Sequence, residues 1–184
     1  MAAIPLPDPE LADEAVRLRT ARLEDVPAIV AACQDPLIQR FTFVPDGYTE
    51  AHARDWVGSA PGERERGEAL QLVIAGAAED ELLGTVGLLR FDAVHRTAEV
   101  GYWVAPSARG HGAAVRATRL LAPWALRTLG LARVTCEIDA ENTASRRVAE
   151  RAGFTFEGIL RSAIEAKGRR WSVAVHSLLP EDLA

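Results

Sequence analysis

The run Val100-Gly101-Tyr102-Trp103-Val104-Ala105-Pro106-Ser107-Ala108-Arg109-Gly110-His111-Gly112-Ala113-Ala114 constrains this chain more than any other segment. Its first residues are aromatic or β-branched and read as a strand. A glycine-punctuated loop follows, and then an Ala/Leu/Arg-rich helix from about 112 to 129, closed by Gly130. The first turn of a helix carries unpaired N–H groups and a partial positive charge. Glycines let the backbone approach an anion with no Cβ between them. Arg109 adds a permanent cation with a fork of donors. A strand, loop and helix of this kind form a cradle for a pyrophosphate.

The rest of the chain alternates in period. Val16 to Arg19 reads as a short strand, and Thr20 caps a helix carrying Leu23, Val26, Ile29 and Val30. Pro36 and then Pro45-Asp46-Gly47 break that pattern. Thr49 caps a second helix with Ala53, Trp56 and Val57 on one face, ended by Gly58 and Pro61-Gly62, with a polar loop over 61–68. Strands follow at Leu70–Ala75, Leu83–Leu89 and Glu99–Val104. After the long helix come a strand at Arg133–Ile138, a helix from Thr143 to Ala152 closed by Gly153, and strands near 154–161 and 171–179 joined at Lys167-Gly168. The order β-α-α-β-β-β-α-β-α-β-β is mixed α/β (α+β) in one domain over 15–184, preceded by an acidic, Pro-rich arm at 1–14.

Composition narrows the function. The 184 residues are 48% apolar and 26% charged, with a net charge of −5, which excludes a uniformly basic nucleic-acid binder. No apolar run approaches the roughly 18 residues of a membrane span. Cys33 and Cys136 are far apart and lack metal-ligand spacing, so the expectation is a reduced, cytoplasmic protein without a metal.

The loop is not a Walker sequence, since no Gly-Lys-Ser/Thr follows. It is not a dinucleotide fingerprint either, because Val115 stands where the third glycine belongs. A second segment lies about 30 residues downstream: Asp139-Ala140-Glu141-Asn142-Thr143-Ala144-Ser145, continuing to Ala149, Gly153 and Phe154. Asn142 caps this helix or bonds a ligand amide; Ser145 faces solvent or the same cleft. On the residues alone both alternatives stay open, as does a glycine turn that merely starts a helix.

Arg109-x-x-Gly112-x-Ala114, followed by Asn142-x-x-Ser145 and Gly153-Phe154, resembles the acyl-CoA motifs of the GNAT N-acetyltransferase superfamily. Leu18-Arg19, Glu24-Asp25, Tyr48-Thr49-Glu50-Ala51 and Trp56-Val57 resemble its RimJ/RimL-like branch, the ribosomal-protein N-acetyltransferases and their small-molecule relatives. The resemblance spans roughly 15–180. It implies a twisted, mostly antiparallel sheet of about six or seven strands flanked by about four helices. The strands near Glu99–Val104 and Arg133–Ile138 would splay around acetyl-CoA. Main-chain contacts would come from Tyr102, Trp103 and Val104, and pyrophosphate contacts from Arg109, Gly110, His111, Gly112, Ala113 and Ala114, with Asn142 and Ser145 nearby.

In such an enzyme a primary amine attacks the thioester directly. Glu99 matches the strand glutamate that serves as base, and Ser145 the hydroxyl that hydrogen-bonds the departing thiolate. Glu165 is a second base candidate, although Ile164 falls on the expected position, and Ser172 stands where the branch often has Asp. An edge strand near 171–179 is available for a homodimer. An acyl-CoA-binding module without turnover, a longer acyl donor, and a nucleotide-binding protein that uses the Arg109 loop differently are the rival readings. His111, His95 and His176 read as ordinary polar residues. Trp124 reads as helix core, as do Trp56 and Phe41 ahead of pocket lining. Arg146, Arg147 and Arg151 read as a solvated face, with contact to the coenzyme A 3′-phosphate as the alternative.

Overall fold

The computed structural model describes residues 3–183. Its elements are β1 (Leu11–Ala12), β2 (Val16–Arg19), α1 (Val26–Cys33), α2 (Pro36–Phe41), α3 (Glu50–Glu65), β3 (Leu70–Gly76), β4 (Leu82–Asp92), β5 (Thr97–Val104), α4 (Ala113–Thr128), β6 (Arg133–Asp139), α5 (Thr143–Arg151), β7 (Thr155–Ala166) and β8 (Arg169–Leu178). The strands form one eight-stranded sheet in the order β1-β2-β3-β4-β5-β6-β8-β7. Every neighbouring pair is antiparallel except β5 and β6, which α4 connects as a crossover.

Alternation along β5 shows how the two faces are used. Ala98 and Val100 belong to the main core with Ala117, Leu121 and Ala125 of α4 and Ala149 of α5. Trp103, on the other face, packs with Val26, Ile29 and Cys33 of α1 and Ala53 and Val57 of α3. The helices α4 and α5 therefore cover one face, and α1 to α3 cover the other. Trp124 packs against the main core and Trp56 against the second cluster, as expected of core residues.

Several local expectations are corrected. Pro36 does not merely break a helix; it begins α2 at the first helical position, where its missing N–H costs nothing. The Asp35 carboxylate caps that helix, accepting from Leu37 N and Ile38 N at 3.0 Å each. The α3 helix runs past Gly58 and Pro61 to Glu65, so the polar loop expected from 61 begins later. Its C-terminal turn is pinned by the arm, because Ile4 N donates to Arg64 O at 3.0 Å and Arg64 Nη1 donates to Ile4 O at 2.8 Å. Ile4 itself is buried and β1 extends the sheet, so the acidic segment is laid against the domain. Thr20 is not the cap before α1. Arg22 N donates instead to Asp25 Oδ2 at 2.8 Å, around a short 3-10 turn over Leu23–Asp25. The β7–β8 hairpin is longer than expected at its turn end, reaching Ala166 and Arg169.

Candidate active site

A fork between β5 and β6 organises the site. The two strands pair only at Thr97↔Arg133, Ala98↔Val134 and Glu99↔Thr135. Beyond Glu99, β5 stays bonded to β4 as far as Gly84↔Val104, while β6 stays on β8 as far as Asp139↔Val173. Each strand is held on its outer side, so the inner edges part. Among the described residues, the inner edge of β5 over Tyr102, Trp103 and Val104 has no strand partner.

The glycine loop closes the open end of the fork. Gly110 and Gly112 have φ of +82° and +81°, a region that side chains with a Cβ disfavour. Nothing lies within 4 Å of where a Cβ would stand on either, so both face open space. Gly112 is the N-cap of α4 and makes no side-chain capping bond. The first-turn N–H groups at Ala113 and Ala114 therefore have no cap acceptor, and an anion fits there. His111 is exposed.

The fork of donors on Arg109 is already engaged. Its Nη2 lies 2.6 Å from Asp35 Oδ1 and its Nη1 3.2 Å from Oδ2. The Asp35 carboxyl is held below its ordinary pKa, chiefly by this guanidinium. Any anionic ligand drawn to Arg109 would compete with Asp35 for it. Asp35→Asn keeps the cap and removes the charge. It is expected to tighten coenzyme A binding about two- to five-fold, the range of a partly exposed ion pair. Calorimetry checks this, and weaker binding would mean that Asp35 presents Arg109 to the ligand.

At the start of α5, Asn142 is a cap, with its Oδ1 accepting from Ser145 N at 3.1 Å. Ser145 Oγ sits 2.8 Å from the Tyr102 hydroxyl, which also donates to Ser145 O at 3.0 Å. Burial pushes the Tyr102 phenol well above its ordinary pKa, so it stays protonated. The side chain of Tyr102, expected only to offer main chain, ties β5 to α5 beneath the fork.

Glu99 faces the opposite side of the sheet from Tyr102. It lines a cleft of about 630 Å³ with Arg90, Arg133, Thr135, Glu137, Glu157 and the Gly158–Leu160 stretch of β7. Its side chain is only 12% exposed. Burial pushes its pKa up to about 7, with Arg90 pulling down and Glu137 pushing up. The two sequence-predicted catalytic residues thus lie on opposite faces of the sheet.

Glu165 is outside the cleft, exposed and paired with Arg170 at 3.1 Å. Ser172 Oγ accepts from Ser162 N at 3.2 Å within the hairpin. His176 is not an ordinary surface residue: it is fully buried beside the Phe156 ring, and burial lowers its pKa. His95 is exposed and its Nδ1 lies 2.7 Å from Asp92 Oδ2.

The segment after α2 is tied over the site. Lys167, the one lysine in the sequence, bonds Gln39 O and Val44 O and lies 3.0 Å from Asp46. Phe43 stacks on Trp171 at 5.7 Å and lies under the Arg90 guanidinium at 5.9 Å. Phe43, rather than Phe41 or Trp56, is the ring that carries a cleft residue, Arg90. Phe41 carries the Arg40 guanidinium at 5.1 Å instead. Sequence reading overlooked Arg90, Glu137, Asp35 and Phe43. For Glu137 the strand alternation with Arg133 and Thr135 was an available signal; the other three depend on contacts between distant segments. Among the described residues, no helix is long and apolar enough to cross a membrane, and no three His, Cys, Asp or Glu side chains converge as a metal site.

A sheet that forks, with uncapped first-turn N–H groups at its open end and a buried carboxylate at its closed end, is the arrangement an acyl-CoA-dependent transferase needs. Residues 15–155 match the family described as the acetyltransferase (GNAT) domain, and the chain belongs to that family. It is 29% identical over 171 residues to the uncharacterized N-acetyltransferase p20 of Bacillus licheniformis, covering 93% of this chain and 96% of that one. It is 34% identical over 138 residues to YdaF of Bacillus subtilis, provisionally named a ribosomal N-acetyltransferase, covering 74% and 72%. The fold matches RimL, a ribosomal L7/L12 α-N-protein acetyltransferase solved with coenzyme A, with a TM-score of 0.81, 24% identity and coverage of 96% and 97%. The protein is an acyl-CoA-dependent N-acetyltransferase.

Proposed function

We propose that the acceptor is a primary amine, a peptide N-terminus or a small amine, and that Glu99 takes its proton. The observation that carries this reading is a buried carboxylate at the closed end of the fork whose proton affinity lies near neutrality. A general base works best when its pKa is close to the operating pH. Releasing a proton from an alkyl ammonium at pH 7 costs about 4 kcal/mol, and from an α-ammonium about 1.4 kcal/mol. The net charge of −5 favours the approach of either cation.

Bound acetyl-CoA supplies the activated acyl thioester. For that ligand, the inner edge of β5 over Tyr102–Val104 offers main-chain donors and acceptors in the manner of an added strand. The N–H groups at the start of α4 and the Arg109 guanidinium suit a pyrophosphate. On the other face, the Ser145 hydroxyl, backed by the Tyr102 phenol, acts as the donor to the departing sulfur.

The test is thiol release from acetyl-CoA against a panel of peptide N-termini, polyamines and aminoglycosides. Amine-dependent release from at least one class is expected. Tight acetyl-CoA binding with no release across the panel would leave a binding module and overturn the proposal.

A further inference from the structure

Arg90 was not a candidate from the sequence, and its backbone is unusual. The register of β4 on β5 shifts between Leu89 and Asp92, so a bulge interrupts the ladder there. Within it Arg90 has φ of +49°, a left-handed conformation that is costly for a residue with a long side chain. Bulges commonly re-aim a side chain beside an active site. Here the re-aimed guanidinium reaches two carboxylates on two different strands. Arg90 Nη1 lies 2.6 Å from Glu99 Oε2 on β5 and 3.0 Å from Glu137 Oε2 on β6.

We infer that Arg90 is a positioning residue of the acceptor site: it clamps Glu99 and Glu137 together across the closed end of the fork and holds Glu99 as the carboxylate that receives the proton. The inference rests on the reading of Glu99 as base. Without Arg90, the buried Glu99 would face Glu137 with no opposing charge, and the protonated acid would be favoured. The other charges along the cleft do not replace it. Arg133 is paired with Glu157, at 2.6 Å from its Oε1, so that pair neutralises itself. The thiol of Cys136, the β6 residue between Thr135 and Glu137, is pushed above its ordinary range by burial first and by Glu99 second, and it supplies no cation. Arg90 is half exposed, so its head can yield to an incoming ammonium without unfolding the strand. It does so from a position that an ordinary β4 residue could not occupy.

The test measures two things on the full chain: the acid limb of kcat/KM with an accepted amine, and the titration of the Glu99 carboxyl by NMR, assigned as the resonance lost in Glu99→Gln. In Arg90→Gln both are expected to move up by about one pH unit or more, since an opposite charge within 4–6 Å lowers a carboxyl by one to three units. Glu137→Gln is expected to move both down. Arg90→Lys keeps the charge and should hold both near their original positions. Arg90→Gly suits the left-handed backbone, so it separates the charge from the strain; it should move both upward like Arg90→Gln while folding at least as stably.

A limb and titration that stay in place in Arg90→Gln and Arg90→Gly would overturn the inference, whatever happens to the rate. So would a limb that moves without the Glu99 resonance. The NMR arm needs no turnover. It therefore tests Arg90 even if no amine is acetylated and the proposed function fails.

Discussion

Glu99→Gln is expected to lower kcat/KM for amine acetylation by about 10²- to 10⁴-fold, the usual contribution of a positioned base. The substitution keeps the size of the side chain and an oxygen for Arg90, so the cleft and the fork should persist. Coenzyme A affinity measured by calorimetry should be unchanged, because the cradle at Gly110–Ala114 lies at the other end of the fork from Glu99. The pH profile gives the sharper reading. In the parent the rate should fall below about pH 7 as Glu99 becomes protonated. In Glu99→Gln that limb should vanish, and the residual rate should climb with pH as the free-amine fraction grows. The variant should lose less with an α-amine than with an alkyl amine, whose proton is about two pKa units harder to remove. Retained activity with the acid limb intact would assign the proton transfer to another group.

Asp25→Ala is expected to cost the fold about 3–5 kcal/mol, the loss found when one partner of a buried ion pair is removed. Arg19 is 3% exposed and reaches Asp25 with two bonds of 2.8 Å, from Nη1 to Oδ2 and from Nη2 to Oδ1. Deleting the carboxylate leaves a buried guanidinium with Asp80, at 2.6 Å from its Nε, as its one remaining carboxylate among the described residues, beside the Thr20 carbonyl at 3.1 Å, and also removes the acceptor for Arg22 N. For a domain of this size the melting temperature should fall by roughly 6–20 °C.

The pair also predicts acid sensitivity. Burial opposes ionisation of Asp25, but the bonds from Arg19 and Arg22 outweigh it, so its folded pKa is lowered. The stabilisation is therefore complete above the unfolded value of about 3.9 and is lost as pH falls through the lowered folded value. Thermal melts from pH 7 to pH 2 should show the parent losing stability over that acid range, with Asp25→Ala losing less. A variant that melts within 2 °C of the parent at pH 7 would count against the pair as a structural keystone.

These two sites were legible in the sequence to different degrees. Glu99 became a candidate through the resemblance, because its place on the strand before the Arg/Gly loop matches the family's strand glutamate. Ser145 was singled out by the same resemblance, whereas the glycine loop and the cap at Asn142 were readable from residues beside a helix start. Arg19 and Asp25 were visible only as part of a motif; nothing local indicated that they meet in a buried pair. Arg90 was invisible for a stricter reason. Its role needs a bulge in β4, and a bulge is decided by how β4 fits β5 rather than by the residues of β4 alone. Asp35 likewise drew no reading of its own, since only Pro36 after it stood out, as a break in the helical pattern. It is the cap of the next and the partner of Arg109, 74 residues away.

The sequence by itself determined the alternation of elements and a strand-loop-helix suited to a pyrophosphate, because periodicity, glycine placement and capping are local properties of the chain; the family came from the resemblance of its short motifs, which are local as well. Only the tertiary structure decided the electrostatics of the site. It placed Glu99 and Ser145 on opposite faces of one fork, set Arg90 between two carboxylates, and occupied Arg109 with Asp35. Charges interact through space over a few ångströms, and the distances that fix their strength exist only once distant segments have packed together.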